Sequence, residues 1–262
     1  MRERRAPKLP RAVTFDCWST LIHEAGTSHG VSKRVGMIAS AASVSEDRAR
    51  AALGAAWRHH QIHWHRRVAF TAHDMAVSSL EALGVTLAPE RLRELTTLLE
   101  DEALKSEIRA IPGAKSTLEK LAEAGVRRAL ICDTGFSPGR VVRALLARVG
   151  LLDLLEVTVF SDEVGVPKPH PLPFETALEG LSVSAGVAVH IGDLRRSDVA
   201  GARAAGMGTI RITAHHDDKE TAGRGAGVID CEAAGCDPVC ERPEADSIAA
   251  SYGDVDRLLG LD

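Results

Sequence analysis

The chain has 262 residues, of which 45% are hydrophobic and 26% are charged, and its formal net charge is −4. This composition is typical of a globular protein with one large domain, or with a main domain and an insert, and it provides no basic surface for nucleic acid. No segment approaches the roughly 18 apolar residues of a membrane span, and the odd number of cysteines favours a reducing compartment, so we expect a cytoplasmic protein without nucleic-acid or membrane partners.

A short apolar strand near the start is followed, in the second half of the chain, by strands that alternate with helical patterns. The segment RAVTFD at 11–16 predicts a buried strand that ends at Asp16. Four further β-branched segments predict buried strands at 127–133, 155–161, 187–193 and 208–213. Apolar residues three and four apart predict helices at 114–125, 139–150, 171–181 and 197–206. This alternation predicts an α/β fold with a doubly wound parallel sheet.

One long segment interrupts the alternation. Residues 23–107 contain almost no strand pattern and several helical patterns, and structureless loops of that length are rare. We therefore expect a helical cap at 23–107, inserted over the carboxyl end of a core that consists of 1–22 and 108–262. The segment IRAIPGA at 108–114 is expected to return the chain to the sheet.

The last part of the core contains a less regular segment. Residues 214–244 lose periodicity and predict a cysteine-bearing loop insertion, and 246–260 predict a short strand or turn and a closing helix. The insertion contains three cysteines: Cys231, Cys236 and Cys240. Structural zinc sites usually have a tighter first pair and a fourth ligand, for which His215 or His216 is available. The sequence is compatible with two alternatives for these cysteines: a zinc site, or a metal-free loop in a reducing compartment.

Chemically active side chains follow the predicted strands at their carboxyl ends, where open α/β sheets bind ligands. They are Asp16, Cys132, Asp133, Thr134, Lys168, Asp193 and Asp198. Each signal is weak alone, because an aspartate after a strand is often a turn former or a helix cap. Their order and placement together predict one shared crevice.

These residue types are suited to phosphoryl transfer. A carboxylate such as Asp16 can attack phosphorus or carbon and form a covalent intermediate that water later resolves. Asp193 and Asp198 offer the oxygen ligands that Mg²⁺ prefers. Lys168 would offset the repulsion among these acids and keep Asp16 ionised. Hydroxyl and backbone N–H groups near Thr134 can bind phosphate oxygens.

The sequence resembles the haloacid dehalogenase (HAD) superfamily over nearly its whole length. The resemblance rests on four segments: FDCWSTL, LICDTGFSPG, VGVPKPHP and HIGDLRRSDVAGARAAGM. It implies a Rossmann-like core with a helical cap inserted after the first motif. It also implies that Asp16 is the nucleophile, that Lys168 is catalytic and that Mg²⁺ is the cofactor.

The same resemblance assigns binding residues. Mg²⁺ would be held by Asp16, the backbone carbonyl of Trp18, Asp193 and Asp198. A small, phosphorylated substrate would be bound by residues of the first two motifs: Trp18, Ser19, Thr20, Cys132, Asp133, Thr134 and Gly135. A homodimer is compatible with the sequence, which does not fix the oligomeric state.

Two residues depart from the phosphatases of this superfamily. Those enzymes usually have an aspartate two residues after the nucleophile, which protonates the leaving oxygen and later activates water, whereas this chain has Trp18. Loss of such a group costs on the order of 10²–10⁴ in rate. Cys132 stands where Ser or Thr usually ends the strand of the second motif, and a thiol is a poor donor to phosphate.

Four functions follow from these residues. A magnesium-dependent phosphatase ranks first, because Asp193 and Asp198 are both present. Dehalogenases of the superfamily also have an aromatic residue at the position of Trp18, since halide departs without an acid, but they usually lack the Gly-Asp of the fourth motif. Phosphonate hydrolases recruit a cap lysine, for which Lys33 and Lys105 are candidates. A non-catalytic protein that binds a phosphorylated ligand or a protein partner is the fourth alternative.

Histidines, tryptophans and arginines cluster within the expected cap. They are Trp57, Arg58, His59, His60, His63, Trp64, His65, Arg66 and Arg67. His59 and His63 are four residues apart, a spacing that can bind metal on a helix. A polar helix face or a surface toward the crevice is the more common structure for such a segment, and binding of an anionic substrate is a further hypothesis.

Overall fold

The computed structural model describes residues 9–25, 29–218 and 243–261. Its strands are β1 Ala12–Phe15, β2 Ile22–Glu24, β3 Ile108–Ala110, β4 Arg127–Cys132, β5 Val157–Phe160, β6 Ala188–Gly192, β7 Gly208–Ile212 and β8 Ser247–Ala249. Its helices are α1 His29–Ala42, α2 Glu46–His65, α3 Ala72–Leu83, α4 Pro89–Asp101, α5 Ala114–Glu123, α6 Gly139–Arg148, α7 Ser161–Val164, α8 Pro171–Leu181, α9 Ala200–Ala204 and α10 Tyr252–Leu259.

Six of the strands form one parallel sheet in the order β5-β4-β1-β6-β7-β8. The predicted α/β fold with a doubly wound sheet is confirmed. The chain runs from β1 to β4 and β5 on one side, and later to β6, β7 and β8 on the other. The direction of strand addition therefore reverses at β1, and ligands of open α/β sheets bind beyond the carboxyl ends at such a reversal.

Side chains of the strands alternate between two apolar layers. On β4, Leu130 and Cys132 pack on the side of α5, α6 and α10, whereas Ala129 and Ile131 pack on the side of α8 and α9. Burial of both faces explains why the strands are continuously apolar in sequence. The packed layers hold the carboxyl edge of the sheet in place.

Helices α1 to α4 share an apolar core of their own, which includes Val35, Leu53, Leu80 and Leu99. Helix α3 begins with a capping box, in which Thr71 and Asp74 exchange hydrogen bonds between side chain and backbone. The helical content predicted for this part of the chain is present. The domain boundaries expected at 22/23 and 107/108 stay a prediction.

The expectation for 108–114 is wrong in one respect. Strand β3 does not join the six-stranded sheet among the described residues but pairs antiparallel with β2, with Ile22 opposite Ala110 and Glu24 opposite Ile108. The two strands satisfy each other's backbone groups because β2 leaves the loop after Asp16 and β3 returns beside it. The chain thus enters and leaves α1 to α4 through one two-stranded ribbon.

The helix expected at 197–206 is divided. Arg195–Val199 forms a π-helical turn, in which the N–H groups of Asp198 and Val199 both donate to Leu194 O at 3.0 and 3.2 Å, and α9 follows. Such turns occur frequently at functional sites.

The C-terminal elements agree with expectation, since 246–260 contains β8 and α10. Most of the expected insertion at 214–244, including its three cysteines, lies outside the described residues. None of the described helices has the length and apolar character that crossing a membrane requires.

Candidate active site

Asp16 follows β1 and starts a tight loop at the carboxyl edge of the sheet. Its N–H donates to Ile191 O at 2.8 Å, which fixes the backbone between β1 and β6. The N–H of Leu21 donates to Cys17 O at 2.8 Å, and Ser19 between them has a left-handed φ of 61°. The Asp16 carboxylate is therefore presented on a loop that backbone hydrogen bonds hold in shape.

The ammonium group of Lys168 joins two of the predicted acids. Its Nζ lies 2.6 Å from Asp16 Oδ1 and 2.6 Å from Asp198 Oδ1, and it donates to Ile131 O at 3.0 Å. Only 1% of Lys168 is exposed. Burial acts to lower the pKa of Lys168, but Asp16 and Asp198 outweigh it and raise the pKa well above its ordinary value. The side chain is therefore a buried cation between two carboxylates.

Asp198 has both carboxylate oxygens engaged. Its Oδ1 contacts Lys168 and lies 3.3 Å from His190 Nε2, and its Oδ2 accepts from the N–H of Leu194 at 3.0 Å. Burial acts to raise the pKa of Asp198, but Lys168 and His190 outweigh it, so the pKa lies well below its usual range. Gly192 makes room for this group, because a Cβ there would lie 2.3 Å from Asp198 Cγ.

His190 begins the segment HIGDLRRSDVAGARAAGM but is not among the predicted site residues, yet it connects β1 to Asp198. Thr14 and His190 are register partners on β1 and β6, and Thr14 Oγ1 lies 2.7 Å from His190 Nδ1. Burial lowers the pKa of His190, so the ring is neutral at pH 7. Because Asp198 is ionised, Nε2 donates to it and Nδ1 accepts from Thr14. The available sequence signal was a polar residue inside a buried strand, which needs a partner.

Three carboxylates lie close enough to share one cation. One oxygen each from Asp16, Asp193 and Asp198 lie within 4.8 Å of one another. Burial and the other two carboxylates raise the pKa of Asp193 to about 9, and burial raises that of Asp16 to about 6. When all three are ionised, Lys168 offsets only part of their charge. Hard oxygen ligands with an excess of negative charge fit a divalent cation.

Residues of the segment LICDTGFSPG lie partly in the core and partly at the crevice. Cys132 is buried in the apolar layer of α5 and α6, and its Sγ lies 3.5 Å from Asp133 O, so the thiol does not face the crevice. Asp133 Oδ1 accepts from the N–H of Lys168 at 2.8 Å, and burial raises the pKa of Asp133 to about 6. The N–H of Thr134 donates to Ser161 Oγ at 2.8 Å. Ser161, which the sequence motifs do not include, fixes Thr134 in place.

The polar residues of the first motif lie in different surroundings. Thr20 is fully buried, and its Oγ1 has no hydrogen-bond partner among the described residues. The carbonyl of Thr20 accepts from Tyr252 Oη at 3.0 Å. Ser19 is half-buried, and its N–H donates to Ile22 O at 2.8 Å. A buried hydroxyl without a partner calls for one, such as a water molecule or a ligand oxygen.

A cavity of about 580 Å³ opens beside the carboxylates. Part of its wall consists of residues next or near in sequence to the charged groups: Trp18, Thr134, Gly135, Pro167, Leu194 and Ser197. Helix α2 contributes Trp57, His60 and Trp64 to the wall. Asp16 and Asp193 are 8% and 5% exposed, whereas Asp198 is 1% exposed. The three carboxylates are not themselves among the residues that line the cavity, but a residue close in sequence to each of them is.

The histidine cluster of α2 is engaged in helix packing as well as in the cavity wall. His59 Nδ1 lies 2.7 Å from Ser78 Oγ, and His63 Nδ1 lies 2.9 Å from His59 O. Within the described parts of the chain, the group of three metal-ligating side chains that come together is the carboxylate cluster. The predicted surface toward the crevice is confirmed for His60, which lines the cavity, and a metal site on α2 gains no support.

The other candidate ligands of the sequence lie elsewhere. Lys33 and Lys105 approach the buried carboxylate of Glu102 at 2.9 and 3.7 Å, and no lysine is among the described residues of the cavity wall. His216 Nδ1 lies 2.8 Å from Asp193 Oδ2. The three cysteines of the suggested zinc site lie outside the described residues.

Similar proteins of known activity match part of this chain. A glyceraldehyde 3-phosphate phosphatase of Pyrococcus abyssi is 38% identical over 103 residues, which are 39% of this chain and 42% of that protein. A ribulose-1,5-bisphosphate 5-phosphatase of Halopiger xanaduensis is 35% identical over 126 residues, or 47% of this chain and 52% of that protein. The chain thus spans about half the length of these curated relatives.

Solved structures match over almost the full chain at low identity. A HAD phosphatase from Thermococcus onnurineus has a TM-score of 0.65 at 22% identity, with 96% of this chain and 99% of that chain covered. L-2-haloacid dehalogenase from Xanthobacter autotrophicus has a TM-score of 0.59 at 20% identity, with the same coverage. These likenesses establish the fold. A sequence profile of haloacid dehalogenase-like hydrolases matches residues 10–206, and the protein therefore belongs to the haloacid dehalogenase-like hydrolase family.

Proposed function

We propose that the protein is a cytoplasmic, magnesium-dependent phosphohydrolase that transfers the phosphoryl group of a small molecule first to Asp16 and then to water. The observation that carries this proposal is the 2.6 Å contact between Lys168 Nζ and Asp16 Oδ1. This contact holds the cation of Lys168 beside the Asp16 carboxylate that would attack. Negative charge develops there on the phosphoryl oxygens, and a fixed cation stabilises it. The phosphatase activities of the partial relatives support the same reaction class.

The reaction consists of two displacements at phosphorus. A carboxylate oxygen of Asp16 attacks the phosphorus, the bond to the leaving oxygen breaks, and that oxygen takes the electron pair. Water then attacks the aspartyl phosphate, its proton passes to solvent, and the Asp16 carboxylate departs with the electron pair as inorganic phosphate forms. Lys168 orients Asp16 in both steps, and Asp198 with His190 orients Lys168.

The carboxylate cluster fits Mg²⁺ in its ligand type and its charge. Asp16, Asp193 and the backbone carbonyl of Trp18 would hold the ion, and we assign Asp198 to positioning because its oxygens are engaged by Lys168, His190 and Leu194. When bound, the ion supplies positive charge that offsets the phosphoryl oxygens.

Hydroxyl groups at the same edge would bind the phosphate oxygens. The Oγ1 of Thr20 is buried without a partner among the described residues, and Thr134 and Gly135 line the cavity. Cys132 is not part of this proposal, because its thiol packs in the core.

One alternative has an observation in its favour. Trp18 lies on the cavity wall, as an aromatic side chain would in a dehalogenase, where the leaving halide needs no proton donor. The phosphonate alternative loses support because Lys33 and Lys105 pair with Glu102. Two reactions therefore need to be separated by experiment.

The test compares phosphate release with halide release. Acetyl phosphate and 4-nitrophenyl phosphate are offered with and without MgCl₂, and 2-chloropropionate is offered in parallel. We expect magnesium-dependent phosphate release that falls by at least about 10⁴-fold in Asp16→Asn, and no halide. Asp153→Asn, which alters an exposed carboxylate, is the matched control and should keep full activity. Halide release would favour the dehalogenase, and equal inertness of wild type and Asp16→Asn would favour a binding protein.

A further inference from the structure

Aromatic side chains are scarce in this chain and gather around one cavity. The sequence contains nine of them, three Trp, one Tyr and five Phe. Five line the cavity beside Asp16: Trp18, Trp57, Trp64, Phe70 and Phe136. All three tryptophans of the protein are in this group. A wall of this composition binds a flat apolar group far better than a hydroxylated chain.

The rings are already arranged as a binding surface. Trp57 lies 4.7 Å from His60 and 5.9 Å from Phe136 between ring centroids, and His60 contacts Phe70 edge to face at 5.8 Å. Yet 47% of Trp57 is exposed. Burial and Arg196 lower the pKa of His60 to about 4, so its ring is neutral at pH 7 and adds to the apolar wall. Trp57 therefore offers a large ring face to a ligand.

The charges around the cavity admit an anion. Three arginines and two acids are on the wall: Arg34, Arg50, Arg196, Glu24 and Asp133. The guanidinium of Arg196 lies 4.2 Å from the Trp64 ring centre, and that of Arg34 lies 4.5 Å from the Phe136 ring centre. These cations lie against ring faces, so positive charge and apolar surface adjoin each other. A substrate with an aromatic body and a phosphate group matches both features.

The leaving group provides an independent argument. Trp18 stands where a proton donor would be expected, so the departing oxygen leaves without help from that position. A phenolic oxygen, with a pKa of about 10 like that of tyrosine, departs as a stable anion. An aliphatic hydroxyl, whose pKa of about 16 is close to that of water, does not. The missing acid and the aromatic wall therefore select the same class of compound.

We propose that the substrates of this protein are aryl phosphate monoesters, whose ring binds against Trp57 in the aromatic wall of the cavity and whose phenolate leaves without a proton donor. The bond between Asp16 and phosphorus forms, the bond between phosphorus and the aryl oxygen breaks, and the phenolate takes the electron pair and later a proton from solvent. This inference rests on the proposed function, because it names the substrate of the same site.

The first experiment compares leaving groups at saturating MgCl₂. The substrates are acetyl phosphate, phenyl phosphate, glycerol 3-phosphate and uridine 5′-phosphate. Acetyl phosphate tests the proposed function alone, since it needs neither a ring nor a proton donor. We expect kcat/KM for phenyl phosphate to exceed that for glycerol 3-phosphate by at least about 10²-fold, the lower end of what a general acid contributes. Uridine 5′-phosphate has a ring but an aliphatic leaving oxygen, and it should resemble glycerol 3-phosphate.

The second experiment tests the ring-binding wall. Trp57→Ala should lower kcat/KM for phenyl phosphate about 5- to 10-fold, mainly through KM, as expected for one lost ring contact. The kcat/KM for acetyl phosphate, which has no ring, should fall by less than that for phenyl phosphate, and Trp57→Phe should restore most of the loss. Leu98→Ala, which truncates an exposed apolar residue of α4 outside this cavity, is the matched control and should change neither substrate.

The outcomes separate the two proposals. If acetyl phosphate is not hydrolysed through Asp16, the proposed function fails. If acetyl phosphate is hydrolysed but glycerol 3-phosphate or uridine 5′-phosphate equals phenyl phosphate, the aryl phosphate inference is overturned and the phosphohydrolase stands. An unchanged KM for phenyl phosphate in Trp57→Ala overturns the assignment of the ring to this wall.

Discussion

The two sides of the cavity are built by different physical means. At the carboxyl edge of the sheet, Lys168 is held between Asp16 and Asp198 by two contacts of 2.6 Å, and all three side chains are almost fully buried. Across the cavity, α2 offers rings such as Trp57, which touch at 4.7 to 5.9 Å and remain partly exposed. The comparison teaches that the charged groups at the sheet edge are fixed by buried ion pairs, whereas the opposite wall is an apolar surface that remains partly exposed.

The largest effect is expected from removing the buried cation. Lys168→Gln removes the cation that Asp16 and Asp198 share, and breaking a buried ion pair costs about 3–5 kcal/mol in the free energy of unfolding. Urea unfolding at pH 8 measures this loss. It should shrink at lower pH, because the carboxylates then take up protons. Lys115→Gln, at an exposed position, is the control, and a Lys168→Gln protein as stable as this control would show that the pair is not a fixed unit.

A smaller effect, this time a gain in activity, is expected when an aspartate is introduced at position 18 as a proton donor. Trp18→Asp should raise kcat/KM for glycerol 3-phosphate about 10²-fold, the lower range of general acid catalysis. Trp18→Asn removes the same ring without adding an ionisable group and isolates the contribution of the proton donor. Both variants are then assayed with a series of substituted phenyl phosphates. The kcat/KM of Trp18→Asp should depend less on the pKa of the leaving phenol than that of Trp18→Asn. Equal behaviour of both variants would mean that the acid is supplied from another position.

The sequence predicts one side of the cavity better than the other. Asp16 and Lys168 are 152 residues apart, but each follows a strand of a parallel sheet, whose carboxyl ends meet at one edge. The position of Trp57 opposite this edge depends on how α2 packs, and a helical period gives the face of a helix but not its partner. His190 is visible in the sequence as a polar residue inside a buried strand, but its partner Thr14 is known only from the register of β1 and β6. The pairing of β3 with β2 has the same origin, since an apolar strand pattern does not name its neighbour.

The smallest effect concerns the metal and pH. Between the ordinary pKa of 3.8 and the folded value of about 9, Asp193 holds its proton in the metal-free folded state and loses it on unfolding. The folded state then binds more protons than the unfolded state. The contribution of Asp193 to the free energy of unfolding therefore falls as the pH rises through this window. Mg²⁺ should take the place of the proton. We therefore expect MgCl₂ to raise Tm by about 3 °C at pH 8, or ~1 kcal/mol for a chain of this size, and by less at pH 5.

Asp193→Asn is the matched variant for that measurement, because the amide has nearly the same shape and does not titrate. Its metal-free form should be more stable than the metal-free wild type at pH 8, and MgCl₂ should no longer raise its Tm. Stabilisation by MgCl₂ that is equal in both proteins would place the ion at another site.

The central claim, that Asp16 carries the phosphoryl group, is tested most directly by intact-mass measurement after acid quenching of the protein with phenyl phosphate and MgCl₂. Because Trp18 cannot activate water, the intermediate should accumulate, and we predict a mass increase of one phosphoryl group that peptide mapping assigns to Asp16 and that is absent in Asp16→Asn. Steady release of phosphate with no adduct on Asp16, or with an adduct that persists in Asp16→Asn, would contradict the account.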